Sequence, residues 1–239
     1  MKIETKNKLI ALIPARSGSQ RLKNKNILKL RNKHLLGIAI EEAVKSKLFS
    51  MIIVSSDSKK YLNIAGKYGK IKKIFRPSKY AKPSSPDFDW VNHSLNEVRA
   101  KNKGFTHFFI LRPSNPFRNS ITIKSAWKAF LSNKKVDSLR AIQLCNEHPG
   151  KMWVIKKKFI VPYINKTIKG QPSYNNQYKV LPEVYVQNAC IEISKLDVVK
   201  KNKSITGKKI MPFFTKKFEG IDINYLSDYN LAKKVIKII

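Results

Sequence analysis

The chain has 239 residues, 42% of them hydrophobic and 10% aromatic, enough to bury a substantial core in one or two domains and too apolar for a wholly disordered chain. Lys and Arg number 49 against 15 Asp and Glu, a formal charge of +34, which raises nucleic acid or a membrane surface as partners. Against both, the excess is mostly Lys scattered over every segment, zinc-finger, RRM and helix-turn-helix patterns are absent, and no run approaches the ~18 apolar residues of a membrane helix.

The N-terminus carries only the short apolar run LIALIP, so no signal peptide is expected. Two cysteines, Cys145 and Cys190, form no disulfide framework or metal motif. Both lie in apolar strand-like runs and read as small buried hydrophobes of a reducing, cytoplasmic compartment. Strand and helix alternate along the chain. LIALIPA (9–15) predicts a buried parallel strand, and residues 34–48 carry Leu36, Ala39, Ile40, Ala43, Val44 and Leu48 at helical spacing. MIIVSSD (51–57) predicts a second strand, then a helix over 58–68 with Asp57 or Ser58 as N-cap. A third strand over 70–76 leads into a Pro- and Ser-rich loop and a helix over 88–101. A strand over 105–112, a helix over 120–132 and a strand over 136–145 follow. This order predicts an α/β fold with a doubly wound, mostly parallel sheet. Residues 146–182 then depart from the pattern, with short pieces MWVI and FIVPYI, and read as an excursion from the sheet. The core resumes with a strand over 185–193, a helix near 195–202, a strand near 209–214 and a closing helix from 226.

Ligands in open α/β sheets bind beyond the carboxyl ends of the strands. The end of the first strand reads Ile13-Pro14-Ala15-Arg16-Ser17-Gly18-Ser19-Gln20-Arg21-Leu22-Lys23-Asn24-Lys25-Asn26-Ile27. Gly18 permits positive φ, Ser17 and Ser19 leave the backbone approachable, and Arg16, Arg21 and Lys25 can neutralise phosphate. The loop matches neither the Walker A pattern nor GxGxxG. On these residues alone, a phosphate cradle and a solvated basic loop both stand.

IPARSGSQRLKNKNI resembles the N-terminal signature of the acylneuraminate cytidylyltransferase family, and five further segments continue the resemblance in order. These are Ile53-Val54-Ser55-Ser56-Asp57; Arg76-Pro77, followed by a helix with His93; Leu111 to Arg118; Val186-Gln187-Asn188-Ala189-Cys190-Ile191; and Gly220-Ile221-Asp222-Ile223-Asn224 with Asp228 and Leu231-Ala232. The resemblance implies a Rossmann-like nucleotidyltransferase sheet in a single domain over 1–239, with 146–182 as a dimerisation arm of a homodimer. It implies transfer of CMP from CTP to the anomeric hydroxyl of an acidic nine-carbon α-keto sugar of sialic, legionaminic or pseudaminic type, with release of pyrophosphate. Arg16, Ser19, Arg21 and Lys25 would hold the triphosphate, with Arg16 and Lys25 catalytic and Lys25 at the α-phosphate. Asn26, Arg76 and Ser85 would contact the nucleotide, Arg112 and Asn188 the sugar, and Asp222 and Asn224 a Mg²⁺ ion.

The sequence departs from the family pattern at Gln20, Tyr178, Val186, Ala189 and, where a second Asp is usual, Asn224. Three alternatives stay open. One is a 3-deoxy-manno-octulosonate cytidylyltransferase, whose loop shares SxRLxxK. The others are a basic nucleic-acid-binding protein on this scaffold and a catalytically weakened homologue.

Overall fold

The structure is a computed structural model that describes residues 8–238. The expectation that no leader is present rests partly on residues 1–7 and so lies outside the described residues. The chain divides into two compact units: residues 1–141 with 188–239, and residues 142–187.

Seven strands form one sheet: β1 (Lys8–Pro14), β2 (Met51–Ser56), β3 (Lys72–Phe75), β4 (Phe105–Ile110), β5 (Ser138–Leu144), β6 (Tyr185–Lys195) and β7 (Ile210–Phe214). Their order across the sheet is β7-β5-β6-β4-β1-β2-β3. β1 pairs in parallel with β2 and β4, and β2 with β3, whereas β6 runs antiparallel to β4 with Glu192 opposite Ile110. Six helices accompany them: α1 (Leu35–Ser46), α2 (Lys59–Ala65), α3 (Asp87–Glu97), α4 (Ser120–Leu131), α5 (Leu196–Asn202) and α6 (Leu226–Val235).

β1 shows why both faces are covered. Successive side chains of a strand point to opposite faces, so a strand buried on both must be apolar throughout. Leu9, Ala11 and Ile13 pack into one core with α1, α2 and α4, through Leu36, Ile40, Leu62, Trp127 and Phe130. Ile10 and Leu12 pack into a second core with α3 and α5, through Trp90, Val91, Leu95, Leu196 and Val199. Burying each such side chain contributes about 1.5–3 kcal/mol, so β1, an interior strand covered on both faces, is firmly anchored. α6 closes a third, smaller core of Leu30, Leu35, Phe117, Ile223, Ala232 and Val235.

The predicted elements all appear, with shorter helices. Ser58 is the N-cap of α2, its hydroxyl accepting from Tyr61 N at 3.4 Å. The expected helix over 88–101 ends at Glu97, because the chain reverses through Arg99 at φ 48° to feed β4. Cys190 is buried as expected, but Cys145 is partly exposed, its thiol near the Glu147 carbonyl, because it lies just past the end of β5. Among the described residues, no helix is long and apolar enough to cross a membrane.

In the second unit, Trp153–Lys156 and Phe159–Pro162 pair as an antiparallel hairpin. A second ribbon, Thr167–Ile168 with Gln171–Pro172, turns through Lys169 and Gly170, both at positive φ as a two-residue hairpin loop requires. Trp153 packs on Tyr174 with ring centroids 4.7 Å apart, while Ile155, Phe159 and Ile160 are exposed.

Candidate active site

The loop that leaves β1 is held from β2. Asp57, one residue past the end of β2, accepts the Ser17 backbone N–H and the Ser17 hydroxyl, each at 2.7 Å. Asn26 is buried and donates its side-chain amide to the Arg16 carbonyl at 2.9 Å. Gly18 does not use the positive φ that its lack of a side chain permits, and a Cβ there would meet open space. The left-handed position is Asn24, at φ 56°, where the chain enters the one-turn helix Lys25–Ile27. With Asp57 and Asn26 fastening both sides of the loop, the tight bend falls at its far end.

Arg16, Arg21 and Lys25 face one region, and none of them forms an ion pair among the described residues. Arg16 donates to the Lys82 carbonyl at 3.2 Å. Arg21 reaches the Asn224 side-chain oxygen at 2.7 Å and lies over the Tyr225 ring at 5.1 Å. Lys25 Nζ donates to the same oxygen at 3.1 Å. Burial holds the Lys25 ammonium below the ordinary lysine range; Asp222 opposes that, and Arg21, Arg112 and Arg16 add to it. Uncompensated cations gathered around a partly desolvated lysine form a site for a polyanion.

The segment 222–224 is held by the turn that follows β4. Ile223 N–H donates to the Ser114 carbonyl at 2.8 Å, and the buried Asn115 amide donates to the carbonyls of Asn188 and Ile221. Asp222 Oδ2 accepts from Asn224 Nδ2 at 2.7 Å, while Asp222 Oδ1 is buried with no hydrogen-bond partner among the described residues. A buried carboxylate oxygen without a donor is costly unless a cation meets it. Mg²⁺ is commonly held by one or two carboxylates plus substrate phosphates, so Asp222 beside the basic loop fits that ion. Asn224 contributes differently from the expectation of a ligand: its carbonyl oxygen faces Arg21 and Lys25, and its amide faces Asp222. Among the described residues, no cluster of three or more His, Cys, Asp or Glu forms a closed metal site.

Other expected site residues are engaged within the protein. Arg76 is 3% exposed, bonds the Ser55 side chain and carbonyl, and lies 4.9 Å over the Trp90 ring. Burial pushes its guanidinium down to about 10. The Ser85 hydroxyl donates to the Lys79 carbonyl. Asn188 is buried and donates to the Thr215 hydroxyl at 2.7 Å, next to Ala189 at φ 56°. Arg112 joins two acids. Its Nε and Nη2 donate to Glu192 Oε1 at 3.0 and 2.8 Å, and its Nη2 and Nη1 to Asp87 at 2.6 and 3.4 Å. Glu192 also pairs with Arg140. Burial alone would raise the Asp87 carboxyl, but Arg112 and the Trp90 indole N–H hold it below its ordinary value.

Sequence reasoning offered Asp57 only as a candidate N-cap and assigned no role to Asp87, Asn115, Arg140 or Glu192. Asp57 and Asn115 sit within recognised segments, but nothing local marks Asp87, Arg140 or Glu192. Arg118, which with Arg112 brackets the turn after β4, is fully buried and donates to the Arg112 and Cys190 carbonyls at 3.2 and 2.8 Å. It bridges β4 and β6 just beyond their last paired residues, Ile110 and Glu192.

The sequence model of the family described as cytidylyltransferase matches residues 10–139, from β1 to the start of β5. The chain belongs to the cytidylyltransferase family. The chain is 30% identical over 227 residues to the N-acylneuraminate cytidylyltransferase of Escherichia coli, a match that covers 95% of this chain but about half, 52%, of that longer protein. It is 27% identical over 237 residues to the CMP-N,N'-diacetyllegionaminic acid synthase of Legionella pneumophila, covering 97% of each. It is 26% identical over 188 residues to a pseudaminic acid cytidylyltransferase of Campylobacter jejuni, covering 79% of this chain and 73% of that one. Among solved structures, CMP:2-keto-3-deoxy-manno-octonic acid synthetase complexed with CTP superimposes with a TM-score of 0.71 at 12% identity, over 97% of this chain and 99% of that one. That likeness shows the fold alone: a mostly parallel nucleotidyltransferase sheet.

Proposed function

We propose that this cytidylyltransferase transfers CMP from CTP to the anomeric hydroxyl of an acidic nine-carbon α-keto sugar of the sialic, legionaminic or pseudaminic type, releasing pyrophosphate. The observation that carries this reading is the meeting of Arg16, Arg21 and Lys25, free of ion pairs, with the unpartnered Asp222 oxygen. The relatives' names supply the acceptor class.

The residues act by position and charge, as phosphoryl transfer demands. Arg16, Ser19, Arg21 and Lys25 grip the triphosphate. Lys25 lies at the α-phosphate, where its poorly solvated charge offsets the negative charge that grows as the acceptor hydroxyl attacks and pyrophosphate leaves. Asp222, with Asn224 beside it, would hold Mg²⁺, which supplies charge to neutralise the phosphates. Asn26 and Arg76 act mainly by shaping the nucleotide wall from behind, and Ser85 borders it. Arg112 faces the acceptor's carboxylate, and Asn188 orders the strand start beside it.

A single catalytic domain with residues 146–182 as a dimer arm accounts for the exposed apolar ribbon at Ile155, Phe159 and Ile160, which suits the apolar centre of a subunit interface. The two free cysteines fit a reducing cytoplasmic setting.

The test is pyrophosphate release from CTP and Mg²⁺ over a panel of nonulosonates, with octulosonate included because the loop also carries SxRLxxK. Turnover of at least one nonulosonate is expected, and Lys25→Ala and Asp222→Ala should each abolish most of it without unfolding the protein. A folded chain that binds CTP yet makes no product with any panel member would overturn the reading. Tight, salt-sensitive binding of DNA or RNA in place of turnover would favour the nucleic-acid alternative.

A further inference from the structure

The pair formed by Arg112 and its two acids is asymmetric. Glu192 is the inner partner, its side chain 5% exposed, joined to Arg112 through one oxygen and tied to Arg140 through the other. Asp87 is the outer partner, its side chain 39% exposed, and it meets the guanidinium with both oxygens. Two carboxylate oxygens against two guanidinium nitrogens is the geometry by which an arginine takes any incoming carboxylate. Resting on the acceptor reading above, we propose that Asp87 occupies, in the free enzyme, the place of the acceptor's carboxylate, and that the acidic sugar binds by displacing Asp87 from Arg112. Asp87 thereby sets the enzyme's affinity for the acid.

Three features of the site carry this. Arg112 already directs its Nε, Nη1 and Nη2 at Asp87 and Glu192, so a further carboxylate can gain a two-point contact with it only by exchange. Glu192 cannot be the one that leaves, since its buried side chain stays paired with Arg140. Asp87 can leave at low cost. It stands in the first turn of α3, which has no side-chain cap, so a released carboxylate remains favoured by the exposed backbone N–H groups there. Its Oδ1 also keeps the Trp90 indole N–H, now at 2.7 Å. A neutral acceptor has no carboxylate to take Arg112 and leaves the Asp87 pair closed, so only the acid bears the cost of the exchange and gains the Arg112 contact.

The experiment uses the full chain with CTP and Mg²⁺. Asp87→Asn keeps the size and the Trp90 acceptor but removes the competing charge. It should lower KM for the acidic sugar about tenfold and leave KM for CTP within twofold. It should also widen the preference for the acid over its methyl ester. Asp87→Ser carries the same expectation should the Asn variant fold poorly. In the wild type, the Trp90 indole ¹⁵N–H resonance should shift when the acceptor is added to enzyme holding a non-hydrolysable CTP analogue. An acceptor KM that stays level or rises in both variants overturns the exchange, as does an unmoved Trp90 resonance with acceptor bound. No wild-type turnover of any acidic sugar would instead overturn the acceptor reading, and the exchange with it.

Discussion

Asp57 offers a quantitative test of the loop. Its two oxygens accept the Ser17 N–H and hydroxyl, each at 2.7 Å, and so hold the chain between Arg16 and Ser19. Asp57→Asn leaves one acceptor oxygen and turns the other into an amide that cannot accept. One charge-assisted bond is lost and the other becomes neutral. Hydrogen bonds to a charged group contribute about 1.5–3 kcal/mol and neutral ones about 1 kcal/mol, so the set conformation of the loop loses on the order of 2 kcal/mol. That loss lowers the ratio of set to unset loop about thirtyfold and so raises the apparent Kd for its ligand by at most about thirtyfold. Once CTP has reordered the loop, the chemistry is the same. Steady-state pyrophosphate release should therefore show KM for CTP raised severalfold, up to about thirtyfold, with kcat and the acceptor KM within about threefold. Ser17→Ala removes only the hydroxyl bond and should give a smaller increase. The two changes should not add, because both act on one contact set. A CTP KM within twofold of wild type in Asp57→Asn would refute the idea that Asp57 sets the loop.

Asn224→Asp exchanges the amide that donates to Asp222 at 2.7 Å for a second carboxylate. Two carboxylates at that separation repel one another and attract a divalent ion, so half-maximal activity should need several-fold less Mg²⁺, and Mn²⁺ affinity read by electron paramagnetic resonance should rise; an unchanged metal dependence would separate Asn224 from the ion. His107 on β4 packs edge-on against Trp127 and Phe130, and burial, with Lys195 adding, pushes its imidazole down to about 4. The folded state then keeps it neutral where the unfolded chain takes a proton, so its contribution is full above the ordinary value of 6.5 and lost as the pH falls towards 4. That loss is about 2 kcal/mol between pH 7 and pH 5, and His107→Gln should flatten it in urea melts at the two pH values; equal acid sensitivity in both proteins would contradict the assignment. Gly37→Ala would place a Cβ 2.3 Å from the Tyr68 ring, whose hydroxyl is held by His34 at 2.7 Å. Overpacking of this kind costs about 1–3 kcal/mol and should lower Tm by several degrees, whereas an unchanged Tm would mean that Tyr68 moves freely.

The sheet and its helices were legible because burial imposes a local period. The continuous apolar run of β1 announces a strand covered on both faces, and the spacing of Leu36, Ala39, Ile40 and Ala43 announces the helix that covers one of them. The basic loop was legible for a related reason: Arg16, Arg21 and Lys25 lie within ten residues, so their convergence needs only a turn. Asn26 and Arg76 stood within recognised segments, yet their side chains face Arg16 O and Ser55, a matter of burial that residue type does not announce. Partners were the hidden part. Arg112 meets Asp87 25 positions earlier and Glu192 80 positions later, and Asn224 meets Arg21 and Lys25 across 203 and 199 positions. Such meetings depend on which strands lie side by side and where the antiparallel β6 places its acid. That ordering is settled by the packing of all the layers at once, and no short stretch of chain carries enough contact energy to specify it.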